Sequence, residues 1–210
     1  MTKLPETLTC QFLSINLPIK YVTCSHIFQK QWGHLRNLIQ LADINDPRNT
    51  LLLSKPIELL FDRGQIIFLW NSAQNEFQMK ILDPSQHSVL LSSLFTSAFP
   101  GNVVPDGVPN VTLGSLEDFP LNVGPNSPFK RCLAFHASLA KYQAVKVKMW
   151  INAEEFTQVP EDAWSPGIAE NPALSRQLRS WLDDVRDAEE EDVSDVILGE
   201  DSEQLNDETN

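Results

Sequence analysis

The segment YVTCSHIF (21–28), followed after a loop by DPRNTLLLSKPIELLFDRG (46–64), decides how this chain is read. Residues 10–28 alternate loosely, CQFLSINL and then YVTCSHIF, and predict one or two short strands. DINDPRN (43–49) is a turn cluster, and Asp46 ahead of Pro47 disfavours helix there. TLLLS (50–54) is brief and apolar, as a buried strand is. The next residues carry helix punctuation: Ser54 fits the N-cap, Pro56 the first turn, and Gly64 the C-terminal stop. The order is therefore a strand with His26, a loop, a strand start with Asn49, and a helix with acids. Glu58 and Asp62 stand at i,i+4, so their carboxylates share one helix face and can hold one hard cation together.

Around this segment, QWGHLRNLIQLA (31–42) places Trp32, Leu35, Leu38, Ile39 and Ala42 at helical spacing and predicts a short amphipathic helix. QIIFLW (65–70) and EFQMKIL (76–82), joined by NSAQN, predict a hairpin. Residues 100–128 are rich in Pro, Gly and Asn and read as a long connector that edges the sheet. From Pro128, PFKRCLAFHASLAKYQAVK has a broad apolar face, with Pro128 early in the helix. NPALSRQLRSWLDDV (171–185) holds one more amphipathic pattern. The expected organisation is a domain over 1–150 (core motif 21–64, hairpin 65–83, helix 128–145), a helical extension over 151–184 and a disordered acidic tail over 185–210. The fold class is α+β.

The chain has 210 residues, 42% of them hydrophobic, enough for a real core. The net charge of −12 is uneven: residues 183–210 hold 13 acids and one base, so 1–182 carries 15 of each and is neutral. The acidity belongs to the tail and does not argue against a phosphate site in the body, although zero net charge is unusual for a strong DNA binder. The tail itself would suit a basic protein partner. Three scattered cysteines exclude a disulfide framework or a Cys-based zinc knuckle, and read as reduced thiols. No secretory signal or membrane-length apolar run is present, so the expected location is intracellular, in nucleus or cytoplasm. GxSxG, GxGxxG, Walker-type and HExxH motifs are all missing from the sequence.

Ser25-His26-Ile27, Asn49-Thr50-Leu51-Leu52-Leu53 and Leu60-Phe61-Asp62-Arg63-Gly64, in order and at matching spacing, resemble the HNH endonucleases of the ββα-metal superfamily. Within that family the pattern looks most like HNH-domain proteins of the fungal type, which also carry a later segment like Pro128 to Ala137. The resemblance covers about 21–145. It implies a ββα-metal element extended by a hairpin and C-terminal helices, and phosphodiester hydrolysis of nucleic acid, DNA more than RNA. His26 is then the general base, and Asn49 orients its ring by hydrogen bonding. Glu58 and Asp62 are the ligands of a divalent metal, Mg²⁺ or Mn²⁺ by carboxylate chemistry. Arg48 and Arg63 are the expected phosphate contacts, with Lys130 and Arg131 beside them as further candidates.

This chain departs from the family at three positions. Ser25 stands where many members carry a metal-binding Asp or His, Glu58 replaces the last His, and Thr50 replaces a Gly. Two functions therefore stay open: an active metal-dependent nuclease, and a catalytically silent HNH fold used for protein interaction. His34 and His87 read as surface residues, and His136, within an apolar helix face, as a core histidine.

Overall fold

The structure is a computed structural model that describes residues 6–37, 39–124 and 127–151. All of them fall in the compact unit Met1–Asn171. The amphipathic pattern at 171–185 and the acidic tail lie outside the described residues. The architecture is α+β, with three small antiparallel strand pairs and three α-helices.

The N-terminal strand region is more divided than its alternation suggests. β1 (Thr7–Cys10) turns back through Ser14, at φ 55°, into β2 (Ile15–Pro18). β3 (Val22–His26) follows after one 3-10 turn and pairs with β4 (Thr50–Ser54) in the register Val22↔Ser54 to His26↔Thr50. Gln11 ties β1 to this pair: its N–H donates to the Leu52 carbonyl at 2.8 Å, and its side-chain carbonyl accepts from Leu52 N–H at 2.7 Å.

The helix expected over 31–42 is absent. Lys30–Leu35 forms a 3-10 segment, and the chain then closes on itself at Gln40, whose φ is 53°. Gln40 N–H donates to Asn37 and Leu41 N–H to Arg36, the two bonds of a Schellman stop. Leu35, Ile39 and Leu41 are buried, whereas Ala42, placed on the apolar face by a continued helix, is exposed. Hydrophobic spacing signalled burial correctly; the left-handed turn overrode its period.

α1 (Lys55–Asp62) starts without a break from β4. Ser54 occupies its N-cap, but the hydroxyl makes no capping bond, because Ser54 is also the last residue of the strand and is buried. Gly64 ends the helix as expected: at φ 65° it completes a Schellman turn, and an added Cβ would meet Ala140 Cβ at 3.1 Å. β5 (Ile66–Asn71) and β6 (Glu76–Ile81) form the predicted hairpin. The connector edges it: Asp118 and Leu121 N–H donate to the Met79 and Phe77 carbonyls, and the Phe119 carbonyl accepts from Met79 N–H.

The sequence reading assigned no element to 91–98, where α2 (Leu91–Ala98) forms, with Leu91 and Phe95 buried. α3 (Lys130–Tyr142) begins with Phe129 as N-cap, so Pro128 precedes the helix rather than entering its first turn. Ala137, Ala140 and Ala144 pack against Ile67, Leu69 and Leu82, small residues letting α3 lie close on the hairpin. Among the described residues no helix is long and apolar enough to cross a membrane.

Candidate functional site

Side chains alternate across a strand, and directly opposed residues of an antiparallel pair share a face. In the β3–β4 register, Thr23, Ser25, Leu51 and Leu53 therefore take one face, and Cys24, His26, Leu52 and Thr50 the other. Leu51 and Leu53 are fully buried and Ser25 nearly so, which makes theirs the inner face. The Ser25 hydroxyl donates to Asp62 Oδ1 at 3.4 Å, so the inner face meets the last turn of α1.

Glu58, one turn earlier on α1, is hydrogen bonded to Asp62. Burial pushes the Glu58 carboxyl above its usual range, and the charge of Asp62 and the shared hydrogen bond push it further. Burial raises Asp62 as well, against the opposing pull of its bonds from Glu58 and Ser25. Asp62 is the more solvent-exposed residue, so water screens its charge more. Like charges at i,i+4 repel, and Asp62 stands at the helix C-terminus, where the dipole disfavours a carboxylate.

Ser25 and Asp62 meet directly and Glu58 lies one turn away on the same helix face, a set of hard oxygen donors that could hold one hard cation. Among the described residues no three His, Cys, Asp or Glu side chains gather to hold a metal ion. The site is two carboxylates and a hydroxyl, and neither histidine nor cysteine joins them.

His26 lies at the end of β3 on the face opposite Ser25, half-buried. Among the described residues its ring shows no hydrogen bond. The expected bond from Asn49 is not made. Asn49 is fully buried, and its amide is engaged with backbone instead: Nδ2 donates to Phe28 O at 3.0 Å and to Ile44 O at 2.9 Å, and Oδ1 accepts from Phe28 N–H at 2.9 Å. Its carbonyl also accepts from Ile27 N–H. A buried amide must find partners for each polar atom, and the loop backbone supplies them. Asn49 clasps the loop mouth at Phe28, two residues beyond His26, and so fixes His26 through the main chain.

Arg48 forms a two-bond pair with Asp46, at 3.1 and 2.9 Å, and stacks over Phe129 at 4.1 Å. Those bonds pull the Asp46 carboxyl below its usual range. Arg63 caps α1 through its N–H and is exposed. Arg131 also stacks on Phe129, at 3.9 Å, and Lys130 lies over Trp70 at 3.2 Å. The basic residues of the α3 start were visible in the sequence, but Phe129 read as part of an apolar face and gave no sign of carrying two arginines. His136 is the core histidine expected: Nε2 meets Phe61 O at 3.0 Å, the ring stacks on Phe61, and burial pushes its pKa down to about 4. His87 is exposed beside Glu117, and His34 is exposed on the 3-10 segment.

Residues 10–69 match the family model described as HNH endonuclease. The matched stretch runs from the end of β1 into β5 and contains Ser25, His26, Asn49, Glu58 and Asp62. It points to a nuclease-type function and to nucleic acid as the partner. No curated protein and no solved structure matches the chain.

Proposed function

We propose that β3, β4 and α1 form a ββα-metal element and that the protein hydrolyses phosphodiester bonds of nucleic acid, DNA in preference to RNA, with Mg²⁺ or Mn²⁺. The observation that carries this reading is the meeting of Ser25 with the Glu58–Asp62 pair inside the segment similar to HNH endonucleases. Strand and helix come from separate stretches of sequence, and packing alone has no need of a like-charged pair there.

The roles follow from each group's chemistry. His26, half-buried at the end of β3, takes the proton of the attacking water at the strand end, where the two faces of the pair meet; an imidazole suits this near neutral pH. Asn49 fixes the strand end that carries the ring, so the base loses little freedom on meeting its substrate. Ser25, Glu58 and Asp62 would hold the cation. A divalent cation in this position would supply charge neutralisation at the scissile phosphate and its leaving oxygen. Arg48 and Arg63 contact the phosphates on either side.

A second reading, a silent HNH fold serving as an interaction module, is favoured by one observation: the two acids already satisfy each other by sharing a hydrogen bond. Plasmid nicking by the full chain separates the two. The nuclease reading expects nicking with Mg²⁺ or Mn²⁺, lost in EDTA and in the Glu58→Gln/Asp62→Asn double variant. No cleavage across both metals, with DNA and RNA each tried, establishes the silent module.

A further inference from the structure

A row of cations seated on aromatic rings leads away from the candidate catalytic strand. It begins at Arg48, two residues before Thr50, the pairing partner of His26. Arg48 O accepts from Phe129 N–H at 2.9 Å, which binds the β4 approach to the start of α3. The guanidinium carbons of Arg48 and Arg131 lie 4.1 and 3.9 Å from the centre of the Phe129 ring. Two planar groups that close to one ring centre must occupy its opposite faces, so Phe129 spaces and orients a pair of guanidiniums. Lys130 continues the row, its ammonium 3.2 Å over the Trp70 ring.

Trp70 in turn lines a groove of about 600 Å³ at the tip of the β5–β6 hairpin, with Leu69, Asn71, Ser72, Gln74, Gln78, Lys80 and Asp118. The only charges among these lining residues are Lys80 and Asp118, which pair at 2.5 Å and cancel. The rest of its polar chemistry is amide and hydroxyl. Asn71 Nδ2 donates at 3.0 Å to both Gln74 Oε1 and Gln78 Oε1, and Gln78 Nε2 donates to Gln74. The three amides hold one another in a fixed arrangement.

We infer that a nucleic-acid strand leaving the candidate site runs its phosphates over Arg48, Arg131 and Lys130 and places an unpaired base in this hairpin groove. The assignment rests on the nuclease reading for where the strand starts. Arg131 and Lys130, held on rings, lose less freedom on meeting phosphate than loose surface lysines do, while Arg48 exchanges its two-bond pair with Asp46 for the phosphate. With the Glu76 carboxylate bonded to Gln78 Nε2, this amide-lined groove does not attract phosphate, whereas Gln74 Nε2 and Gln78 Oε1 keep a donor and an acceptor that the internal bonds leave open, the pattern that matches base edges. In a duplex those edges are paired, so the groove selects single-stranded or unpaired nucleotides.

The test is fluorescence anisotropy with the full chain in EDTA, so that binding is read without cleavage, on matched single-stranded and duplex oligonucleotides. Arg131→Gln is expected to weaken both and to lower the slope of log affinity against log salt by about one. Gln74→Ala, an exposed residue of the hairpin turn, is expected to weaken single-strand binding about 5–20-fold and to leave duplex binding and the salt slope unchanged. Unchanged single-strand binding in Gln74→Ala overturns the groove assignment, as does equal loss for both substrates. Displacement of the single strand by a neutral oligosaccharide assigns the groove to sugar and overturns it too. Intact, Gln74-dependent binding with no metal-dependent nicking removes hydrolysis alone; nicking with Gln74-independent binding removes the strand path alone.

Discussion

His26 and His136 sit in opposite environments. His136 is sealed inside: its ring lies on Phe61, its Nε2 on the Phe61 carbonyl, and burial holds its pKa near 4. His26 stands at a strand end, partly open to water, with its backbone pinned by a neighbour rather than its ring. His136 can be charged only at the expense of the fold. Their difference shows how environment, and not residue type, sets what a histidine is exposed to.

The largest effect should come from the clasp that sets His26 in place. Asn49→Ala leaves Phe28 N–H and the Phe28 and Ile44 carbonyls without their buried partner, and is expected to cost about 3–5 kcal/mol in urea unfolding. A loss below about 1 kcal/mol would mean that the loop is held elsewhere.

The sealed histidine should then show in acid. Its folded pKa, about 4, lies below the unfolded value near 6.5, so the unfolded chain binds the extra proton between them. The stabilisation is complete above about pH 6.5 and is lost as pH falls towards 4, amounting to about 3 kcal/mol. His136→Phe should flatten the unfolding free energy over that window; an unchanged slope would place the acid sensitivity on other groups.

A smaller effect of opposite sign belongs to the acid pair. Glu58 and Asp62 are raised, so the folded protein binds more protons than the unfolded one, and stability from this pair declines as pH rises through their range. Glu58→Gln should raise the melting temperature of the metal-free protein at pH 7 and change it little near pH 4. The same substitution should remove any stabilisation by added Mn²⁺ at pH 7.

Much of this was legible along the chain. Gly64 and the two apolar hairpin strands are local signals, each read from a few residues, and each was found in place. The pairing of Glu58 with Asp62 follows from helix geometry alone. Three features needed the third dimension. The 31–42 pattern marked a buried face, but no sequence rule flagged Gln40 as a left-handed stop. The role of Asn49 depends on backbone 21 residues earlier in the chain. Ser25 looked like a weakened position in the motif, and only the packing of α1 on β3 shows its hydroxyl beside Asp62.

The central claim is that His26 removes the proton from water at a cation-dependent site. Single-turnover cleavage of a labelled duplex by the full chain in saturating Mn²⁺, wild type beside His26→Ala, tests it most directly. The account predicts a rate loss of at least about 100-fold with Mn²⁺ affinity unchanged. Equal rates for the two proteins would contradict it.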